Sequence, residues 1–534
     1  MECDVIIVGA GSAGCVLAAR LSEKAGRRVL LIDAGRESLG LFGRMPAGSY
    51  KLLNNPRADW MYPTLPDPSA ADRSFTWPAG RALGGGSAIN GLVYVRGSRH
   101  DYDDWAASGC AGWSWDEMEP YFRRAEHFVG QQPGGLNIHG TQGPQRISQF
   151  AEPLAVTQAF LEACWQAGLP RKASYCDGDP EGAFMTLGTI AGGERWSTAR
   201  SYLDPARGRA NLSVLTETAV ETILVEQGKA VGVRIRQGND VREIRARHVI
   251  LSAGTIMSPT ILLRSGIGPA PALSALGIPL AADLPGVGQN LQEHPGTGQR
   301  RYVSAETYNS AIRPLSLARH FANYALRRRG PLTSISVHAM AWARSRSDLA
   351  HPDLVLSFLP VSFGEGVYPG TPHPRHGVTL ALNVAKPASR GEIRLRNADP
   401  RSGPLIDHRL LGEESDVERL ADGFALLRRI FEQPALAGLV EGGIDPEIDA
   451  AHGDDLKAII RAATGTGYHP VGTCRMGTGN DAVVDPRLKV YGIEGLYVAD
   501  ASIMPRITSG NTNGPTIAIA EHASDLIAAA MADR

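Results

Sequence analysis

The chain has 534 residues, too many for one hydrophobic core, so two or more domains are expected. Hydrophobic residues make up 43% and charged residues 20%, a globular composition that excludes a disordered chain. The net charge of -1 argues against a dedicated nucleic-acid binder, and no apolar run reaches about 18 residues, so no integral membrane segment is expected.

Residues 5–8, Val-Ile-Ile-Val, read as a buried parallel strand that runs into Gly9-Ala10-Gly11-Ser12-Ala13-Gly14. A helix is expected from about residue 13 to 25, then a second strand over 28–32 that ends at Asp33. This is the strand–turn–helix–strand setting that a G-x-G-x-x-G nucleotide fingerprint needs. Gly9 permits the tight turn, Gly11 lets backbone approach a pyrophosphate, and Gly14 lets the helix pack on the strand. Phosphates then face the helix N-terminus, and Asp33 has the spacing to accept from ribose hydroxyls. The fingerprint by itself serves FAD and NAD equally, since both carry an ADP half.

Residues 40–77 are punctuated by Pro and Gly, as in a lid, and contain Trp60 in an Asp-Trp-Met-Tyr stretch. Residues 80–97 follow, with three adjacent glycines ahead of Ser87 and Asn90, a composition suited to backbone lying against a flat or anionic ligand. Val220 lies in Thr-Glu-Thr-Ala-Val, and a strand over 248–253 leads into the glycine-bounded segment 254–268. Strand-like runs at 353–358, 378–384 and 389–395 suggest a mostly antiparallel sheet. Arg327-Arg328-Arg329 reads as a solvated helix end, with an acidic-substrate or membrane-surface contact as the alternative. Near the C-terminus come Tyr468-His469-Pro470, Asp500-Ala501-Ser502 and Gly510-Asn511-Thr512-Asn513-Gly514-Pro515. The six cysteines show neither CxxC nor zinc spacing. They read as reduced thiols of a cytoplasmic protein, and no metal is expected.

Taken in order, these motifs resemble the glucose–methanol–choline (GMC) flavoprotein oxidoreductases over nearly the whole chain. The resemblance implies an α/β and α+β fold: a Rossmann-like FAD-binding domain, and a discontinuous second domain built on a mostly antiparallel sheet. Residues 1–150, 194–300 and 464–534 would form the first, and 151–193 and 301–463 the second. FAD contacts are implied at Gly9, Gly11, Ser12, Ala13, Gly14, Asp33, Trp60, Arg81, Gly85, Asn90, Gly91, Leu92, Val93, Val220, Tyr468, Asp500, Ala501 and Thr512. Some members attach FAD through a His in the 80–97 segment. This chain has Ala88 and Ile89 there, so non-covalent FAD is expected.

By the same resemblance His469 is the base and Asn513 its partner, chosen over Asn511 by motif register. Imidazole suits proton abstraction near neutral pH, and an amide donates to a developing oxyanion. The expected reaction is oxidation of a primary alcohol to an aldehyde, with electrons passed to O2 or a quinone-type acceptor. A lyase or light-driven decarboxylase that retains FAD is the alternative. Val337, His338, Phe358 and Phe363 are candidate pocket walls, and His294, His373 and His376 read as loop residues.

Overall fold

The computed structural model describes residues 2–150, 152–311, 313–364 and 371–532. Its strands used below are β1 (Glu2–Val8), β2 (Val29–Ile32), β3 (Gly182–Met185), β4 (Leu212–Leu215), β5 (Ala219–Glu226), β6 (Lys229–Gln237) and β7 (Asp240–Leu251). They continue as β8 (Pro295–Val303), β9 (Ala339–Ala343), β10 (Leu354–Leu359), β11 (Gly377–Val384), β12 (Val440–Gly443), β13 (Gly465–Thr466) and β14 (Leu496–Val498). The helices needed are α1 (Ser12–Leu21), α2 (Gly254–Arg264), α3 (Pro314–Arg327), α4 (Glu414–Phe431) and α5 (Asn513–Ala532).

The first sheet has the order β4-β2-β1-β7-β6-β5, with β14 beside β7. Its β4-β2-β1-β7-β14 part is parallel, and β1 is buried on both faces, as its unbroken Val5-Ile6-Ile7-Val8 run requires. Helix α1 packs on α5, so the two ends of the chain share one core. The helix stops at Leu21, four residues short of the expected end. Asn211 explains this: its amide Nδ2 donates to the carbonyls of Ser22, Lys24 and Arg27, fixing a turn that returns the chain to β2. The strand expected over 248–253 is the end of the longer β7. It belongs to an antiparallel meander, β5-β6-β7.

The second sheet is antiparallel throughout, in the order β12-β8-β11-β10-β9-β3, with β13 against β8. On β10 the side chains of Leu354, Leu356 and Phe358 join the core that includes α4, while Val355 joins a different cluster on the opposite face. Each such buried Leu or Phe contributes about 1.5–3 kcal/mol. Phe358 stacks on Phe160 with ring centroids 4.4 Å apart, so it lies in this core and not on a pocket wall. His338 is likewise buried, held between Thr157 and Ser334. The strand expected over 389–395 is reduced to Glu392–Arg394, which pairs with Leu405–Asp407 as a separate ribbon. Gly391 meets the Leu291 backbone in a single bridge, and a Cβ there would lie 2.2 Å from the Asp407 carbonyl oxygen. Among the described residues no helix is long and apolar enough to cross a membrane.

Candidate active site

The fingerprint turn is shaped by close backbone contacts. Gly9 has φ +96°, and a Cβ at Gly14 would lie 1.8 Å from the Gly9 carbonyl oxygen. At Gly11 the nearest atom to such a Cβ is 3.9 Å away, so this glycine is not needed for packing within the protein. No side chain caps α1. The open side of Gly11 therefore meets bare helix N–H groups, a cradle that suits a pyrophosphate. Asp33 accepts from the Ala10 amide at 2.7 Å and the Gly35 amide at 2.6 Å, one bond to each oxygen. Burial raises its pKa. Each oxygen keeps acceptor capacity for a ribose hydroxyl.

The 80–97 segment docks directly on this turn. The Gly84 amide donates to the Ala10 carbonyl, and a Cβ on Gly85 would lie 2.7 Å from the Gly11 Cα. Asn90 accepts from the Leu92 amide and from the buried Arg195, which also donates to the Ser87 carbonyl and the Ser49 hydroxyl. Leu92 has φ +68°, and Val93 forms a bridge to Gly188. Gly91 borders open space. Arg81 lies over the Trp60 ring at 4.4 Å. Val220 is buried on β5. Asp500 takes four donors, the Gly254 and Ser502 amides and the Ser258 and Ser502 hydroxyls, and so straps the start of α2 to the turn that begins at Ala501. The buried Thr512 accepts from Thr516 in the first turn of α5, next to Asn513.

His469 reaches the site through a bulge. Pro295 pairs with Thr466 and Gln292 with Val471, so residues 467–470 stand opposite only two residues, Glu293 and His294. Tyr468 takes φ +65° to absorb the excess, and burial lifts its phenol to about 12. The Glu293 carboxylate fills the bulge. It accepts from the His469 amide at 2.8 Å, the His294 amide at 2.7 Å and the Thr466 hydroxyl at 2.7 Å. Burial pushes its pKa up to about 7. Gly467 leaves little room, because a Cβ would sit 3.1 Å from both the His294 Cβ and the His469 Nδ1.

The bulge sets two imidazoles edge to face. His469 Nδ1 lies 3.0 Å from His294 Nδ1, and His294 Nε2 lies 3.1 Å from the Ala385 carbonyl oxygen. The other ring nitrogen, His469 Nε2, lies 2.8 Å from the side-chain amide of Asn511. Burial lowers the His294 pKa to about 4. Burial, with the neighbouring His294, holds His469 well below the usual imidazole range. Glu293, His294 and His469 bring donor atoms within 4.8 Å of one another, and each is already engaged in a hydrogen bond.

Two expectations about this site are changed by the geometry. Asn511 is the residue at His469, whereas Asn513 donates to the Ser12 hydroxyl at 2.8 Å and links α5 to the fingerprint. The reason lies in the preceding loop: Asp101 holds Ser509, and Trp342 donates to the Ser509 carbonyl, so the chain passes His469 before α5 begins. His294 belongs to the same cluster and is not an isolated loop residue. Only the pairing of β13 with β8, across more than 160 residues, brings it there, and no local signal marks it.

The fold agrees with what sequence comparison finds. Profiles described as GMC oxidoreductase match residues 3–296 and 387–520. The chain belongs to the GMC oxidoreductase family. Within that family it is 39% identical to an oxygen-dependent choline dehydrogenase of Brucella suis biovar 1 (strain 1330), over 99% of this chain and 96% of that protein. It is 36% identical to an alcohol dehydrogenase [acceptor] of Pseudomonas putida, over 98% and 95%. A solved formate oxidase from Aspergillus oryzae RIB40, studied for its FAD modification, superposes with a TM-score of 0.93 at 26% identity and covers 100% of this chain. The GMC chain is thus an oxidoreductase with an α/β FAD-binding fold.

Proposed function

We propose that this GMC oxidoreductase oxidises a primary alcohol to an aldehyde with non-covalent FAD, His469 acting as base. The observation that carries the proposal is the hydrogen-bond chain through the two imidazoles. The Ala385 carbonyl can only accept, so His294 carries its proton on Nε2 and presents a lone pair at Nδ1. The shared proton then belongs to His469 Nδ1, which leaves His469 Nε2 unprotonated beside the Asn511 amide. A substrate hydroxyl placed at this nitrogen gives its proton to Nε2, and the Asn511 N–H steadies the oxygen as negative charge grows there.

The Gly11 side of the fingerprint turn, Asp33 and the 80–97 segment would hold FAD, whose isoalloxazine supplies the acceptor for the hydride of the carbinol carbon. Ala88 and Ile89 offer no nucleophile for covalent attachment. Residues 1–150, 194–300 and 464–534 are assigned to the cofactor, and 151–193 and 301–463 to the substrate. The test is anaerobic addition of a panel of alcohols, choline included, to the purified yellow protein. Bleaching by a primary alcohol is expected, and reoxidation with O2 or a quinone then reads the acceptor. Colour that persists while a cyanohydrin or a fatty acid is cleaved would replace this reading with a lyase or a light-driven decarboxylase.

A further inference from the structure

Seven large hydrophobic side chains are exposed among the described residues, and five of them belong to two neighbouring segments. Leu315 (89% exposed) and Leu326 (83%) lie on α3, while Leu41, Phe42 and Tyr50 lie on the short helices Gly40–Arg44 and Ser49–Leu52. The segments adjoin. The turn Pro46–Gly48 packs against the turn Pro331–Thr333, which packs against α3. Burial raises the Tyr324 phenol on α3, opposed by the guanidinium groups of Arg328, Arg200 and Arg44, the last of which comes from the other segment.

Helix α3 is amphipathic in an unusual sense. Its exposed residues are Pro314, Leu315, Ala318, Arg319, Ala322, Ala325, Leu326 and Arg327, so the part turned to solvent is mainly apolar. Arginines stand at both ends, Arg313 before the helix, Arg327 as its last residue, and Arg328 and Arg329 after it. Arg328 faces Glu194 at 3.5 Å. Arg313, Arg319, Arg327 and Arg329 have no ion-pair partner among the described residues. No Asp or Glu occurs between Glu306 and Asp348, although the whole chain is close to neutral. A solvated surface helix would turn polar residues outward, and a partner protein's apolar socket would leave these cations without counter-charge. Leucines between arginines match a layer that is apolar inside and anionic outside.

We propose that α3, with the adjoining 41–50 segment, docks peripherally on an anionic lipid bilayer. Leu315 and Leu326 would enter the acyl boundary and the four unpaired arginines would meet lipid phosphates.

The test is flotation of the holoenzyme with vesicles of phosphatidylcholine alone or mixed with phosphatidylglycerol, at low and high salt, alongside sedimentation without lipid. Binding is expected to the mixed vesicles, to weaken with salt, and to fall about tenfold or more in L315E/L326E and in R319E/R329E. FAD content and alcohol oxidation in solution should stay unchanged in both variants. Equal binding to both vesicles, or binding to neither, overturns the proposal. So does a wild-type dimer that L315E/L326E converts to monomer without vesicle binding, because the face would then join two copies of this chain.

Discussion

The nucleotide cradle and the histidine cluster are built in opposite ways. The cradle is local: Gly9, Gly11 and Gly14 lie within six residues, and the segment docked on them supplies glycines of its own. The cluster is non-local: His294, Ala385, His469 and Asn511 come from four separate stretches, joined by a two-strand ladder and a bulge. In the cradle, failure is steric and spoils binding. In the cluster, failure is a misplaced proton and spoils chemistry while binding persists.

The largest effect is expected from breaking the cradle. G14A places a Cβ 1.8 Å from the Gly9 carbonyl, so α1 cannot pack and the purified protein should carry little FAD, read from its absorbance ratio. The same experiment on H469A should return a full complement of FAD.

The next contrast separates the two asparagines. N511A removes the donor at His469 and should slow anaerobic flavin reduction by about 10²–10³-fold with FAD retained. N513A breaks the link to Ser12 and should weaken FAD binding more than it slows reduction. If the two variants exchange these phenotypes, motif register was the better guide and the hydrogen-bond chain is not the catalytic arrangement.

A smaller effect concerns pH. His469 is held well below the usual imidazole range, and only its neutral form accepts a proton. The kcat/KM for alcohol should therefore stay level from pH 8 to about 6 and fall only in more acidic solution, below the ordinary value near 6.5. H294F removes the acceptor at His469 Nδ1 and should distort this profile as well as lower the rate.

The smallest effect is on stability. Glu293 sits at about 7 in the folded chain against 4.5 when free, so its contribution is fully present below pH 4.5 and is lost as pH rises through 7. His294, lowered to about 4, acts in the opposite sense: its neutral form is favoured by folding, and stability is lost as pH falls from 6.5 to 4. The two oppose each other between about 4.5 and 6.5. E293Q should therefore show a steeper fall in Tm on acidification than the parent protein.

The parts of this architecture legible in the sequence are those fixed by contiguous residues. The apolar run before Gly9, the fingerprint spacing and the alternation along β10 follow from strand and helix periodicity. The meander β5-β6-β7 does carry a local signal, Val231, Val233 and Ile235 alternating with Gly232, Arg234 and Arg236 ahead of a Gly238-Asn239-Asp240 turn, but its junction with the parallel strands through β7 is set by non-local pairing. Asn511 and Asn513 share a residue type and a neighbourhood, and only the start of α5 decides which faces His469. Phe358 could not be assigned a face because its strand is apolar on both sides. His294 joins the cluster through the pairing of 292–296 with 465–471, which no local pattern signals.

Stopped-flow reduction of H469A and the parent enzyme with the same primary alcohol, without oxygen and at equal FAD occupancy, isolates the role of His469 as base. The reduction rate of H469A should fall by about 10²–10⁴-fold. Reduction at the parent rate in H469A would contradict that role.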